Sequence, residues 1–388
     1  MIKIKNKQDC CGCLACVQKC PKKCIAAVPD EEGFLYPSVD LSKCVDCGAC
    51  VRACPIINRK GKGEIGEVFA AVSMNGAVRL KSSSGGVFSL IAEKIISEGG
   101  IVFGAKFDDE WRVVHSHFET PEELDAFRGS KYVQSNMLSS YIQAQNWLKK
   151  GRMVLFVGTP CQIAGLKQFL NREYDNLFSV DLLCHGVPSP KVWDLYLNSV
   201  CPNKRDIMKI NMRDKSTGWS SYSFLMEVSG KKTLSEKLDE NPFRLGFLKD
   251  IYLRPSCYSC KFREFRSKSD LTLGDFWRVG KYCRNAGFAD NKGVSLVFVN
   301  SKNGGELFKS VSNAALVEKI ENYKPADLSL HLFKSVSVPK NRKKFFAELR
   351  GDNVLFLIKK YAVLPLNLRI KAAIISALLK IRNFICKK

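Results

Sequence analysis

The 388-residue sequence has no run of about 18 or more apolar residues, so no transmembrane helix is expected. Near its start, Met1 to Cys10 is polar and basic and holds no apolar stretch, so no secretory signal is expected either. Acidic residues are few, 38 against 61 Lys and Arg, which leaves a formal net charge of +23. Histidine is scarcer still: four residues carry whatever imidazole chemistry the protein does near neutral pH. The 17 cysteines fall far short of a disulfide scaffold, which runs above about 8% of a chain. These absences together predict a cytoplasmic protein whose cysteines serve metals or redox chemistry. With 46% hydrophobic and 26% charged residues, the chain reads as globular and long enough for two or three domains.

What is present is concentrated. Ten of the 17 cysteines lie before residue 55. Cys10, Cys13, Cys16 and Cys20 follow C-x2-C-x2-C-x3-C with Pro21 next, and Cys44, Cys47, Cys50 and Cys54 repeat the pattern with Pro55 next. This is the bacterial two-cluster ferredoxin spacing, in which the fourth cysteine of each run serves the other cluster. Cys10, Cys13, Cys16 and Cys54 are therefore assigned to one [4Fe-4S] cluster, and Cys44, Cys47, Cys50 and Cys20 to a second. Zinc is the alternative, but two complete copies of this spacing fit its paired C-x2-C habit poorly. Cys11 and Cys24 read as bystanders.

Asn58 to Gly66 is polar and glycine-rich and reads as a linker. Beyond it, strand-like runs (68–74, 101–107, 111–118, 153–157, 177–183, 207–212, 222–228, 294–299) alternate with helical spacing (87–97, 161–170, 189–199). The alternation predicts an α/β or α+β core. His115 and His117 share a strand face and read as surface residues. From His331 to Lys388 there are fourteen Lys and Arg against two acids, a net +12. There Ile370, Ile374, Leu378, Ile381 and Ile385 recur at helical spacing, opposite Arg369, Ser376, Lys380, Asn383 and Lys387. Such a helix either contacts an anionic membrane surface peripherally, at its inner face, or packs on protein. No nucleic-acid fold motif accompanies the charge, so nucleic acid is not an expected partner.

Four further cysteines stand out. Cys161 follows one buried-type strand, Cys184 follows another, and Cys257 and Cys260 form a C-x2-C pair. Carboxyl ends of strands are where open α/β sheets place their sites. Spacing alone leaves three readings open: a common iron–sulfur site, a zinc site, or unrelated buried cysteines beside a structural pair.

Five segments then occur in order: Ser82-Ser83-Ser84-Gly85-Gly86-Val87-Phe88, Gly129-Ser130-Lys131-Tyr132-Val133, 158–166 (GTPCQIAGL), Cys184-His185-Gly186-Val187-Pro188, and 270–277 (DLTLGDFW). In these, residues 7–345 resemble the beta-subunit family of coenzyme F-420 hydrogenases and dehydrogenases, in its bacterial branch with a fused N-terminal ferredoxin domain. The resemblance implies a flavoprotein with FAD and iron–sulfur clusters. It implies a third [4Fe-4S] cluster on Cys161, Cys184, Cys257 and Cys260. It implies FAD contacts from Ser84, Gly85 and Gly86 before a helix, from Ser130 and Lys131, and from Gly158 and Thr159.

The expected architecture is then a ferredoxin-like unit (1–58), an α/β FAD-phosphate region (66–145), an α/β region with the third cluster and the flavin and substrate site (146–330), and a basic helical tail (331–388). The expected activity is an electron relay between the clusters and FAD that reduces or oxidises an unidentified substrate, with a redox partner such as ferredoxin. His185 is the candidate proton donor, beside a ligand. Arg213, Asp214, Lys215 and Trp219, with Asp275 and Trp277, form either an anion- and ring-binding surface or a solvated loop. A non-catalytic electron-transfer protein that serves a partner enzyme is the alternative.

Overall fold

Short apolar runs of β-branched and aromatic residues between helical segments build a layered α/β core. The computed structural model describes residues 1–230, 233–237 and 239–362. In the N-terminal unit, β1 (Ile25–Pro29) and β2 (Leu35–Val39) pair antiparallel. Their turn is held by Asp30, whose Oδ1 accepts from the backbone N–H of Glu32 and Phe34. The core contributes β3 (Glu67–Ser73), β4 (Ile101–Phe107), β5 (Val113–Phe118), β6 (Val154–Gly158) and β7 (Leu177–Leu182). Then come β8 (Ile207–Asp214), β9 (Ser223–Val228) and β10 (Leu234–Lys237), which form a separate antiparallel sheet. Finally β11 (Leu271–Asp275), β12 (Ser295–Val299) and β13 (Ala315–Lys319) complete an eight-stranded sheet of order β13-β3-β12-β11-β7-β6-β4-β5. Its centre, β4, β6, β7 and β11, is parallel, and both flanks pair antiparallel.

Alternation along the central strands sends side chains to two cores. Phe103 and Phe156 face helices Ser140–Lys149 and Pro160–Leu170, through Tyr141, Leu148, Ile163 and Phe169. Val102, Leu155 and Val157 face helices Val87–Ser97 and Lys302–Val311, through Leu90, Ile91, Ile95, Leu307 and Phe308. Each such buried side chain stabilises by about 1.5–3 kcal/mol relative to exposure. The ferredoxin unit belongs to the first core, into which Cys11, Cys13, Leu14 and Ala15 pack.

The second sheet shares a third core with helices Pro190–Val200, Pro242–Leu248, Arg342–Glu348 and Val354–Ala362, centred on Trp193, Phe224, Phe243, Tyr252 and Phe345. The start of the basic C-terminal stretch is thus built into the core. It is also tied to the ferredoxin unit by Arg342, whose Nη1 donates to Glu32 Oε1 at 2.8 Å. The amphipathic pattern at 370–385 lies outside the described residues. No helix among the described residues is long and apolar enough to cross a membrane.

β11 escaped the periodicity. Leu271–Asp275 is short, contains Gly274, and is set by polar contacts: Asp270 Oδ2 accepts from Ser179 N at 2.8 Å, and Asp270 Oδ1 accepts from Ser301 Oγ at 2.6 Å. The surface expectation for His115 was wrong. It is buried, with ring nitrogens 2.9 Å from Ser135 Oγ and 2.9 Å from the Val157 carbonyl. Asn136 pairs along the outer edge of β5, the ring reaches past β4 to β6, and burial lowers its imidazole to about 4.

Candidate iron–sulfur and cofactor sites

The two ferredoxin loops each start a short helix, Ala15–Lys19 and Ala49–Arg52, from a residue in the left-handed region (Leu14, φ 57°; Gly48, φ 70°). Those turns wrap the thiols inward. Cys16 is pushed up to about 12, first by burial and then by the neighbouring thiols of Cys10 and Cys54. Cys13 in turn has Cys16 and Cys54 among its neighbours. Residue 54 of the second run therefore stands with the first run.

Conversely, Cys20, Cys44, Cys47 and Cys50 line one open pocket of about 330 Å3 beside Met1. Cys24 borders it too, 3.4 Å from Cys20, and is raised to about 11 by the Cys20 contact, burial and Cys44. All of these thiols are free. Four thiols in each set, at ferredoxin spacing, are the donors that a [4Fe-4S] cluster takes, so the donor sets fit clusters.

A second meeting of thiols lies at the carboxyl edge of the large sheet. β6 ends at Gly158, and Thr159 caps helix Pro160–Leu170 in a capping box with Gln162. This cap puts Cys161 on the first turn, with Thr159 Oγ1 3.2 Å from its sulfur. β7 ends at Leu182, two residues before Cys184. Cys257 and Cys260 arrive on a 3-10 turn, Pro255–Ser259. Burial pushes the Cys184 thiol well up, with Cys257, Cys161 and Cys260 as neighbours. Cys257 is raised to about 12 by burial, then by Cys260 and Cys161.

Four thiols from three segments thus share one neighbourhood; among the described residues no three of them are drawn tightly enough to hold a single metal ion, and their chemistry is that of a cluster's thiolate ligands. Cys11, read from spacing as a bystander, is buried with Cys13 in the core against which Cys161 packs, and so lies beside both sets.

His185 follows Cys184 and is doubly engaged. Its Nε2 lies 2.5 Å from Asp250 Oδ1 and its Nδ1 3.2 Å from His331 Nε2. His331 is lowered to about 4 by burial, then by His185 and Arg263. Arg263 ties this group together by donating to the carbonyls of Cys184, His185 and His331.

Beyond β8 and β11 lies a basic and aromatic cluster of side chains. Asp275 accepts from Arg213 and from Trp219 Nε1, the latter at 3.1 Å. Trp219 stacks on the exposed Trp277 with ring centroids 4.4 Å apart and 9° between planes. Arg213 lies over Tyr222 (4.5 Å) and Arg244 over Tyr132 (4.3 Å). Arg213 and Asp214 belong to β8, and Arg213 and Lys215 are buried, so the solvated-loop alternative fails for them.

Nε and Nη2 of Arg213, and Nε and Nη1 of Arg244, are buried with no hydrogen-bond partner. Unpaired guanidinium donors are what an anionic ligand such as a dinucleotide satisfies. The serine–glycine segment is adjacent. Lys215 Nζ donates to the carbonyls of Arg79 (2.6 Å), Ser84 (3.1 Å) and Lys292 (2.7 Å). Burial, then Arg213 and Arg79, lowers its amine to about 8.

Ser83 and Ser130 hydroxyls meet at 2.9 Å, which brings the two expected phosphate segments together. Gly85 has no room for a side chain: a Cβ would lie 2.2 Å from the Ala71 carbonyl. Gly86 caps helix Val87–Ser97. Lys131 donates to the carbonyls of Arg128 and Gly129, and burial lowers its amine to about 7. Gly158 and Thr159 stand with Cys161. Arg244 escaped sequence reading, although a lone arginine in the apolar helix 242–248 (PFRLGFL) is a signal of a buried cation.

Comparison with known proteins follows this division. Residues 68–142 match the family model "Coenzyme F420 hydrogenase/dehydrogenase, beta subunit N-term", and residues 151–324 match the C-terminal model of the same family. Residues 9–56 match a 4Fe-4S dicluster domain. An uncharacterized protein of Methanocaldococcus jannaschii is 25% identical over 333 residues, 77% of this chain and 86% of that one. The F component of the F(420)H(2) dehydrogenase of Methanosarcina mazei is 26% identical over 220 residues, 53% of this chain and 60% of that one. The I 2 component of the NADH-quinone oxidoreductase of Geobacter metallireducens is 39% identical over 64 residues, 15% of this chain and 49% of that one. Among solved structures, one polypeptide of the F420-reducing [NiFe] hydrogenase complex from Methanosarcina barkeri aligns with a TM-score of 0.45 and 20% identity, over 69% of this chain and 85% of that one.

Proposed function

Because the chain belongs to the coenzyme F420 hydrogenase/dehydrogenase beta-subunit family and carries a 4Fe-4S dicluster domain, we propose that it is an iron–sulfur flavoprotein oxidoreductase. Residues 1–58 would hold two clusters, Cys161, Cys184, Cys257 and Cys260 a third, and the residues around Arg213 and Arg244 FAD, and this set would supply electron transfer to or from a substrate. When bound, the flavin exchanges single electrons with clusters and electron pairs with a substrate.

The chain's own residues prepare for this. Arg213 and Arg244 offer unpaired donors to the anionic cofactor. Ser84, Gly85 and Gly86 with Ser130 and Lys131 offer a phosphate cradle at a helix start. The Trp219–Trp277 stack gives a ring a face to lie on. His185, held by Asp250 and His331, is the group positioned to hand over a proton.

The observation that supports this reading most is the shared core of the two thiol sets. Cys11 and Cys13 are buried in the core against which Cys161 and Cys260 pack, so the ferredoxin unit lies beside the sheet-edge cysteines. Anaerobically purified holoprotein should hold about twelve irons and one FAD per chain, by iron, sulfide and flavin assay. Zinc in place of iron, or no flavin, contradicts the proposal.

A second reading, an electron-transfer protein that delivers to a partner enzyme, draws support from relatives named as parts of larger oxidoreductases. Reduction of a small-molecule acceptor by the isolated chain selects the first reading, and turnover only with a partner selects the second.

A further inference from the structure

Arg254 is fully buried and reaches from the core into the ferredoxin unit. Its Nε donates to the Cys10 carbonyl at 2.8 Å, and its Nη2 to the Leu35 carbonyl at 3.0 Å. Nη2 also lies 3.5 Å from the Cys10 sulfur, and Nη1 donates to Gln134 Oε1 at 2.9 Å. Tyr36 and Phe34 cover its faces, with centroids at 4.3 and 5.4 Å.

Arg342, Arg213 and Arg79 have a carboxylate partner (Glu32, Asp275 and Asp290), whereas Arg244, Arg263 and Arg254 are buried with no salt bridge among the described residues; of these, Arg254 is the one that lies against a ferredoxin thiol. Among the described residues, no carboxylate makes a salt bridge with Arg254; its contacts are carbonyls, an amide and a sulfur. A buried, uncompensated cation is costly unless an anion completes it. Among its contacts, the group able to become anionic is the Cys10 thiol, and a thiolate-bound cluster there would complete the cation. The ligand loop is shaped to it as well. Gly12 sits at φ +71°, and a Cβ there would lie 2.6 Å from Arg254 Nη1 and 2.6 Å from Gln134 Nε2. On its other side, Arg254 is three residues before Cys257 on the same turn.

We propose that Arg254 is a positioning residue that raises the midpoint potential of the Cys10–Cys13–Cys16–Cys54 cluster and fixes that cluster against the sheet-edge thiols. The inference rests on the iron–sulfur reading above. Positive charge and N–H donors at a ligand sulfur stabilise the reduced, more negative cluster, so the potential rises. Gln134 assists from the side, donating to the Cys11 carbonyl at 3.1 Å while it accepts from Arg254. Selective placement matters for direction: the cluster nearest the core becomes the favoured resting place for an electron before it enters the core.

The test is potentiometric titration of full-length, anaerobically reconstituted holoprotein, with cluster signals followed by EPR. The signal lost in Cys13→Ser marks the first cluster, and that lost in Cys47→Ser marks the second. In Arg254→Gln, at unchanged iron content, the first cluster should become about tenfold harder to reduce, a shift of about 59 mV to more negative potential. The second should stay where it is. Unchanged midpoints, or equal shifts in both ferredoxin clusters, overturn the proposal. If Arg254→Gln loses its iron, Gln134→Leu serves instead: a smaller shift of the same sign confined to the first cluster supports the role, and an unmoved midpoint overturns it. A protein with two clusters and none at the sheet edge would defeat the relay but leave this shift readable.

Discussion

The ferredoxin thiols and the sheet-edge thiols reach the same chemistry by opposite routes. The first eight lie in two runs of eleven residues, each turned by its own left-handed residue at Leu14 or Gly48. Their convergence is local. The last four span residues 161 to 260: the side-by-side ends of parallel β6 and β7 bring Cys161 and Cys184 near each other, and the turn Pro255–Ser259 carries Cys257 and Cys260. Their convergence belongs to the fold. A local site tolerates change elsewhere in the chain, whereas a site built by a sheet edge fails with that edge. The second kind also lies where a cofactor cleft can be placed against it.

The largest expected effect separates the two sets. Cys184→Ser should remove about four irons and leave both ferredoxin signals in place, with turnover reduced at least about 100-fold. Iron analysis and EPR on the same sample check this. Loss of all signals would mean that the sets do not fold independently. Cys47→Ser should do the converse, sparing the sheet-edge cluster.

Next come the basic and aromatic side chains. Replacing both Arg213 and Arg244 by Leu removes two charge-assisted contacts worth about 1.5–3 kcal/mol each. FAD affinity, read by fluorescence titration of apoflavin protein, should fall at least about tenfold while cluster content stays whole. Unchanged affinity would move the cofactor elsewhere.

A smaller effect concerns acid stability of the sheet beside the site. The folded His115 value, about 4, lies below the ordinary 6.5. Its contribution is therefore fully present above about pH 6.5 and is lost as pH falls towards 4, on the order of 2 kcal/mol by pH 5. His115→Gln should flatten the fall in Tm between pH 7 and pH 5. An equally steep fall would place the acid sensitivity in other groups. Smallest of all is Cys24→Ala, which should leave iron content unchanged despite its 3.4 Å approach to Cys20. Loss of a cluster there would make Cys24 a ligand and break the simple local reading of the first set.

The same contrast explains what could be read from residues alone. Spacing reveals a ferredoxin loop because three ligands of each cluster lie within one short turn and the fourth follows at a fixed offset in the other run. Helices 87–97 and 160–170 were legible from apolar periodicity, and Cys161 and Cys184 from their place after apolar strands. Cys11 and Arg254 were not legible. Their meaning comes from neighbours more than 100 residues away, Cys161 for one and Cys10 for the other. Arg213 and Lys215 looked like loop residues because their burial comes from segments around Arg79, Asp275 and Lys292. β11 hid because Asp270, Ser179 and Ser301 hold it by polar contacts.

One measurement bears on the whole account: a stoichiometric reductive titration of the holoprotein, followed optically. Three one-electron clusters and a two-electron flavin predict uptake of about five electrons per chain, with flavin bleaching among the absorbance changes. Uptake of about two electrons with no flavin signal would contradict it and leave only the ferredoxin unit redox-active.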